Sequence, residues 1–205
     1  MYEPGDKMIS IIGDNYNILQ SLGSFGINLG FGDKTVEEVC DEQKVDTYTF
    51  LAVVNFTING YLDRDSLDKL SIPALLQYLT ASHAYFIEFQ LPFIRKELAQ
   101  ALDENNELAG LILKLYDDYA HSVTNHMRYE ERTAFPYVNS LLAGNPMSDY
   151  DIETFSRHHG QVEQLSPIHI RRCRSTNLRQ SQPPPHHYNK HSPIHIIRLC
   201  VLILP

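Results

Sequence analysis

Apolar residues return every three or four positions along three stretches of this chain, the period of amphipathic helices. From Ser71 the stripe reads Leu75/Leu76, Leu79, Phe86/Ile87 and Leu91, with His83 where a core residue should stand. From about Glu107 it reads Leu108, Leu111/Ile112, Leu115, Tyr119 and Val123, then His126, Glu130 and Ala134. A third helix is predicted from Asp149 or Asp151, with the stripe Ile152, Phe155, His159 and Val162. Ser71 can cap the first helix and Pro73 is tolerated in its first turn. Pro136 should kink or end the second. No stretch alternates with period two for long enough to argue for a sheet, so the predicted class is all-α.

Ahead of these helices, residues 1–56 read as a small domain of several short ones. Thr35, with Glu38 three residues on, forms a capping box that fixes one helix start. The glycine-studded "LGSFGINLGFGDK" before it must be a loop, and Leu51 to Phe56 supply an apolar patch. Residues 57–70 read as a linker, 71–165 as a helical bundle of three helices, and 166–205 as a separate tail.

Charge sharpens that last boundary. The net charge of −8 hides a split: residues 1–165 carry 25 acidic and 11 basic side chains. Residues 166–205 carry six Lys/Arg and no Asp or Glu, with five of the ten His and six of the eleven Pro. An acidic body argues against nucleic acid as a partner, and the basic tail alone is weak ground for one. Three widely spaced cysteines, Cys40, Cys173 and Cys200, make no disulfide framework. The start "MYEPGDKMIS" lacks the pattern of a signal peptide, and no apolar run is long enough to span a bilayer. The expectation is a protein of a reducing cytoplasm, with no membrane partner.

The chemistry lies on the helical stripes. A glutamate on a core stripe is costly unless something pairs with it. Taken singly, each inward histidine reads as a satisfied core residue. Three helices each aiming a histidine inward, with a carboxylate one turn beyond one of them, point instead to a metal site. Imidazole with carboxylate suits iron, zinc or manganese. Bundles build dinuclear carboxylate sites from such inward residues. His121, about 140° round the helix from His126, should be solvated, as should Glu131. His158 also roughly fits the third stripe, so phase alone leaves His158 and His159 open, and Glu88 has no phase argument. There is no phosphate-binding glycine loop, nucleophile elbow or CxxC pair.

"SHAYFIEFQLPFIRKEL", "HMRYEERTAFPYV" and "FSRHHGQVEQ" resemble the first three helices of a hemerythrin-like di-iron domain, an up-down four-helix bundle. "NYNILQSLGSFGINLGFGDKTVEEVCDEQKV" resembles the small domain that precedes this bundle in the iron–sulfur cluster repair di-iron proteins, the RIC family. The resemblance covers most of residues 1–165. It implies His83, His126, Glu130 and His159 as iron ligands, with Glu130 a carboxylate bridge. The implied cofactor is non-haem iron, and the implied role is repair of iron–sulfur clusters after nitrosative or oxidative damage. Partners would be damaged iron–sulfur proteins or small gases such as O2 and NO.

Two departures qualify that expectation. The family's glycine loop often carries a Cys-Cys pair where this chain has Gly30 and Phe31, so a dithiol step is not expected. The family's fourth helix, with a second H-x-x-x-E, is missing or replaced here by the Pro- and His-rich tail. The abrupt loss of acidic residues points to a frameshifted or altered terminus, which would leave an intact H-x-x-x-E helix in another frame of the coding DNA. Three His and one Glu suffice for one metal and leave two irons short of ligands, so weak, substoichiometric binding and poor solubility are expected. A gas-binding sensor module and a metal-free helical remnant are the alternative functions. A homodimer, with a second chain over the open seam, is the assembly considered.

Overall fold

The computed structural model describes residues 1–102 and 107–145, and within them the chain is mostly helical and has no strand, with one isolated bridge between Lys7 and Thr35. The predicted third helix, with His158 and His159, lies outside the described residues, as does the tail. The described residues divide into two compact units, Met1–Tyr85 and those from Phe86 to residue 145.

The first unit holds six helices: α1 Met8–Asp14, α2 Ile18–Ser24, α3 Val36–Gln43, α4 Thr47–Asn59, α5 Arg64–Asp68 and α6 Ile72–Tyr85. The α3 start follows the capping box. The Thr35 hydroxyl accepts from the Glu38 N–H at 3.2 Å, and the Glu38 carboxylate accepts from the Thr35 N–H at 2.8 Å. Asp46 caps α4 the same way, its Oδ1 taking the Thr49 N–H at 2.8 Å. A core of Met8, Ile11, Ile18, Val36, Phe50 and Val54 forms where α1 to α4 meet, and every one of these side chains is fully buried. Phe25 joins α4 to α6: its ring meets Phe50 edge-on at 5.4 Å and stacks on Tyr78 at 4.4 Å. Such pairs contribute about 0.5–1.5 kcal/mol each beyond the area that they bury.

The stretch 57–70 is more ordered than a linker. Residues 57–59 complete α4, which Gly60 closes in a left-handed conformation (φ 73°), its N–H donating to the Phe56 carbonyl at 2.7 Å. Asp63 then caps α5 through the Ser66 N–H at 2.7 Å. Aspartate at the cap, rather than apolar periodicity, makes this short helix.

In the second unit a π segment, Phe86–Gln90, leads into α7, Leu91–Ala101, and α8, Glu107–Tyr129, leads through a second π segment, Glu130–Ala134, into α9, Phe135–Leu142. Arg95 of α7 forks onto Asp117 of α8 at 2.7 and 3.0 Å, and the Tyr116 hydroxyl donates to the Leu91 carbonyl at 2.7 Å. The Arg95 guanidinium holds the Asp117 carboxyl below its ordinary range, and both groups are at the surface.

The helical run does not stop at Pro136, and the expected irregularity takes the form of a π turn ahead of it. The chain widens into a π turn and continues to Leu142. The reason can be read from the spacing. A proline ring collides with the carbonyl four residues before it. For Pro136 that residue is Arg132, the middle of Glu130–Ala134; for Pro92 it is Glu88, the middle of Phe86–Gln90. Both helices relieve the same clash by widening the turn that contains that carbonyl.

The α8 stripe is only partly a core stripe. Val123, His126 and Glu130 are buried, but Leu108, Leu111 and Leu115 are 59%, 53% and 60% exposed and Ile112 is 37% exposed. Helical phase states which residues share a face; it does not state what covers that face. Likewise Phe86 and Ile87 are half-buried rather than core. Among the described residues no helix is long and apolar enough to cross a membrane.

Candidate functional site

His126 and Glu130 stand at the end of α8 and the start of the π turn, four residues apart on one face. The His126 Nε2 lies 3.4 Å from the Glu130 Oε1, and their side chains are 5% and 2% exposed. Apolar residues surround the pair along the same stretch: Val123, Met127, Ala134 and Phe135 are all buried. Glu130 is among the most deeply buried large side chains of the protein. A carboxylate so placed has given up water, and only strong partners offset that cost. The local helix explains how it is held there. The i, i+4 spacing stacks the two side chains, and the π turn that begins at Glu130 gives the Phe135 N–H to the Glu130 carbonyl.

His83, near the end of α6 in the first unit, is 5% exposed, and neighbouring Ser82 has a buried hydroxyl with no hydrogen-bond partner among the described residues. His159 lies outside the described residues. The structure therefore describes three of the four candidate ligands, all buried, and groups two of them. Among the described residues no set of three or more His, Cys, Asp or Glu side chains is brought together to hold a metal ion. The donor chemistry of His126 and Glu130, one imidazole and one carboxylate aimed inward from one helix, fits an iron ligand set as two of its members.

Of the residues set aside in the sequence, His121 is solvated as expected, while Glu131, also expected to be solvated, is only partly so. His121 is exposed, with its Nε2 2.9 Å from the Asn125 amide nitrogen. Glu88 is exposed and Glu131 is half-buried. Tyr119, one stripe position before Val123, is half-buried, and burial raises its phenol above the ordinary value. Periodicity had placed it on the stripe without assigning it chemistry.

In the first unit the loop that carries Gly30 and Phe31 borders an open groove of about 520 Å³, lined in part by Asn28, Gly30, Lys34 and Gln43. Gln43 holds the loop by accepting from the Asn28 N–H at 2.9 Å and donating to the Asn28 carbonyl at 3.2 Å. Phe31 is 8% exposed and joins the core. Cys40 is fully buried in that core, and burial pushes its thiol up to about 12, far from a reactive thiolate. A scan against family models, a search of curated proteins and a search of solved structures each find no match to this chain.

Proposed function

We propose that this chain is a non-haem iron protein of the hemerythrin-like kind, acting in the cytoplasm on iron–sulfur clusters damaged by nitrosative or oxidative stress. The observation that carries the reading is Glu130, a carboxylate 2% exposed and 3.4 Å from a buried imidazole. The resemblance adds His83 and His159 as further ligands and supplies the repair role. Bound iron supplies open coordination positions for a small ligand and a centre able to exchange iron or electrons. His126 offers a ring nitrogen, and Glu130 offers two oxygens, one facing His126. The apolar residues about them exclude bulk water, which strengthens any charge interaction at the pair. The tail has no acidic residue to act as a second bridge, so loading stays below two irons per chain.

The test is metal analysis of protein purified without chelator, beside His126→Ala, followed by reactivation of a damaged cluster enzyme in extract. Iron that falls to background in the variant, with activity restored only by the wild type, fits the proposal. Iron lost in the variant without reactivation fits a gas-binding module instead. A second reading has its own observation: at 3.4 Å a protonated His126 neutralises Glu130 with no metal at all. That metal-free core predicts the same metal content in both proteins.

A further inference from the structure

The two π turns share a construction that bears on the buried pair. Each is five residues long and each ends two residues before a proline, Gln90 before Pro92 and Ala134 before Pro136. The effect on phase follows from helix geometry. Four residues of α-helix overshoot a full circle by about 40°. In a π turn about 4.4 residues complete the circle, so four fall about 30° short. The wide turn therefore cancels the drift, and Glu130, Ala134 and Val138 form one straight row. All three are 2% exposed, which is the signature of such a row.

We infer that Pro136 is a positioning residue: it holds the turn wide and so keeps Glu130 in the core together with the apolar face of α9. Pro136 itself is exposed, so the substitution to alanine removes little buried surface. With alanine there, the clash with the Arg132 carbonyl disappears and the turn closes to α-helix. The face of α9 and the face of α8 then part by about 70°. Phe135, Tyr137 and Val138, all buried, anchor α9 against rotation. With α9 held, it is the end of α8 that turns, so position 130 leaves the row whatever side chain it carries, and a carboxylate there gains further by reaching water. The consequence for metal rests on the proposed function; the consequence for burial does not.

Burial is tested without metal. Glu130→Cys in a Cys173→Ser/Cys200→Ser background leaves Cys40 as the other thiol, and that one is fully buried. Alkylation of position 130 is then timed with Pro136 present, with Pro136→Ala, and with Pro136→Ala plus deletion of Thr133. The deletion removes one residue from the turn and returns the two faces to register. Circular dichroism accompanies each protein, and alanine, the best helix former, favours retained helicity. The expected result is a rate roughly ten-fold or more higher in Pro136→Ala, returning toward the parent value on deletion. Pro92→Ala, at the other wide turn, leaves position 130 protected. Equal rates with and without Pro136, no rescue by the deletion, or an equal rise in Pro92→Ala would each overturn the inference. In the chain with its native Glu130 and cysteines, cobalt(II) titration of Pro136→Ala reports an affinity about 10- to 100-fold weaker. If the unsubstituted chain binds no cobalt(II), the proposed function fails, and the alkylation rates still decide the role of Pro136.

Discussion

Replacing Glu130 with leucine separates a carboxylate kept for a metal from one kept for the fold. The site is 2% exposed, so a leucine placed there is removed from water almost completely. Burying such a side chain contributes about 1.5–3 kcal/mol. The lost contact with His126, at 3.4 Å, is set against relief of the desolvation that the carboxylate suffers in the metal-free protein. Hydrophobic replacement of buried ionic groups often stabilises by about 1–4 kcal/mol. The expectation for Glu130→Leu in the presence of chelator is a gain of about 1–3 kcal/mol in the unfolding of the second unit. For a chain of this size that is a rise in Tm of about 3–10 °C. The assay is thermal unfolding followed by circular dichroism, with and without added iron(II). Iron at a hundred times its dissociation constant stabilises the wild type by about 2.7 kcal/mol and leaves the leucine variant unchanged. A loss of about 3–5 kcal/mol in the chelated variant would refute the reasoning, because that is the cost of breaking a pair the fold depends on.

Other outcomes follow from the same structure. Thr35→Ala removes half of the capping box and should cost about 1 kcal/mol, read by urea unfolding of the first unit. Phe31→Ala leaves a cavity in that unit's core and should cost about 3–5 kcal/mol in the same assay. Cys40 should resist maleimide in the folded protein and react on unfolding. Its thiol is held up at about 12 in the fold against 9 when free, so the folded state favours the protonated form. That contribution is complete below pH 9 and fades as pH climbs toward 12, which an alkaline unfolding series of Cys40→Ala against wild type measures.

Much of the helical layout could be read from residue order because local chemistry decides it. Thr35 and Glu38 mark the start of α3 by themselves, and phase alone put His83, His126 and Glu130 on the faces that the structure buries. What phase does not contain is the neighbour. Leu108, Leu111 and Leu115 continue the same face as Val123 and His126, yet they are more than half exposed. Pro136 signals an irregularity in the helix without its form: the lost α-helical bond is taken up by one widened turn, ahead of a segment buried at Phe135, Tyr137 and Val138. Phe31 could not be read as a core residue from the sequence, since its burial depends on how the loop held by Gln43 folds back. The α5 helix was hidden in apparent linker because its signal is a single capping aspartate.

The central claim is that His126 and Glu130 are ligands of iron. Metal content of the full-length chain beside His126→Ala, purified in parallel and measured by elemental analysis, addresses it most directly. The account predicts iron in the wild type below about two per chain, the full complement of a dinuclear site, and background levels in the variant. Equal metal content in the two proteins would contradict it.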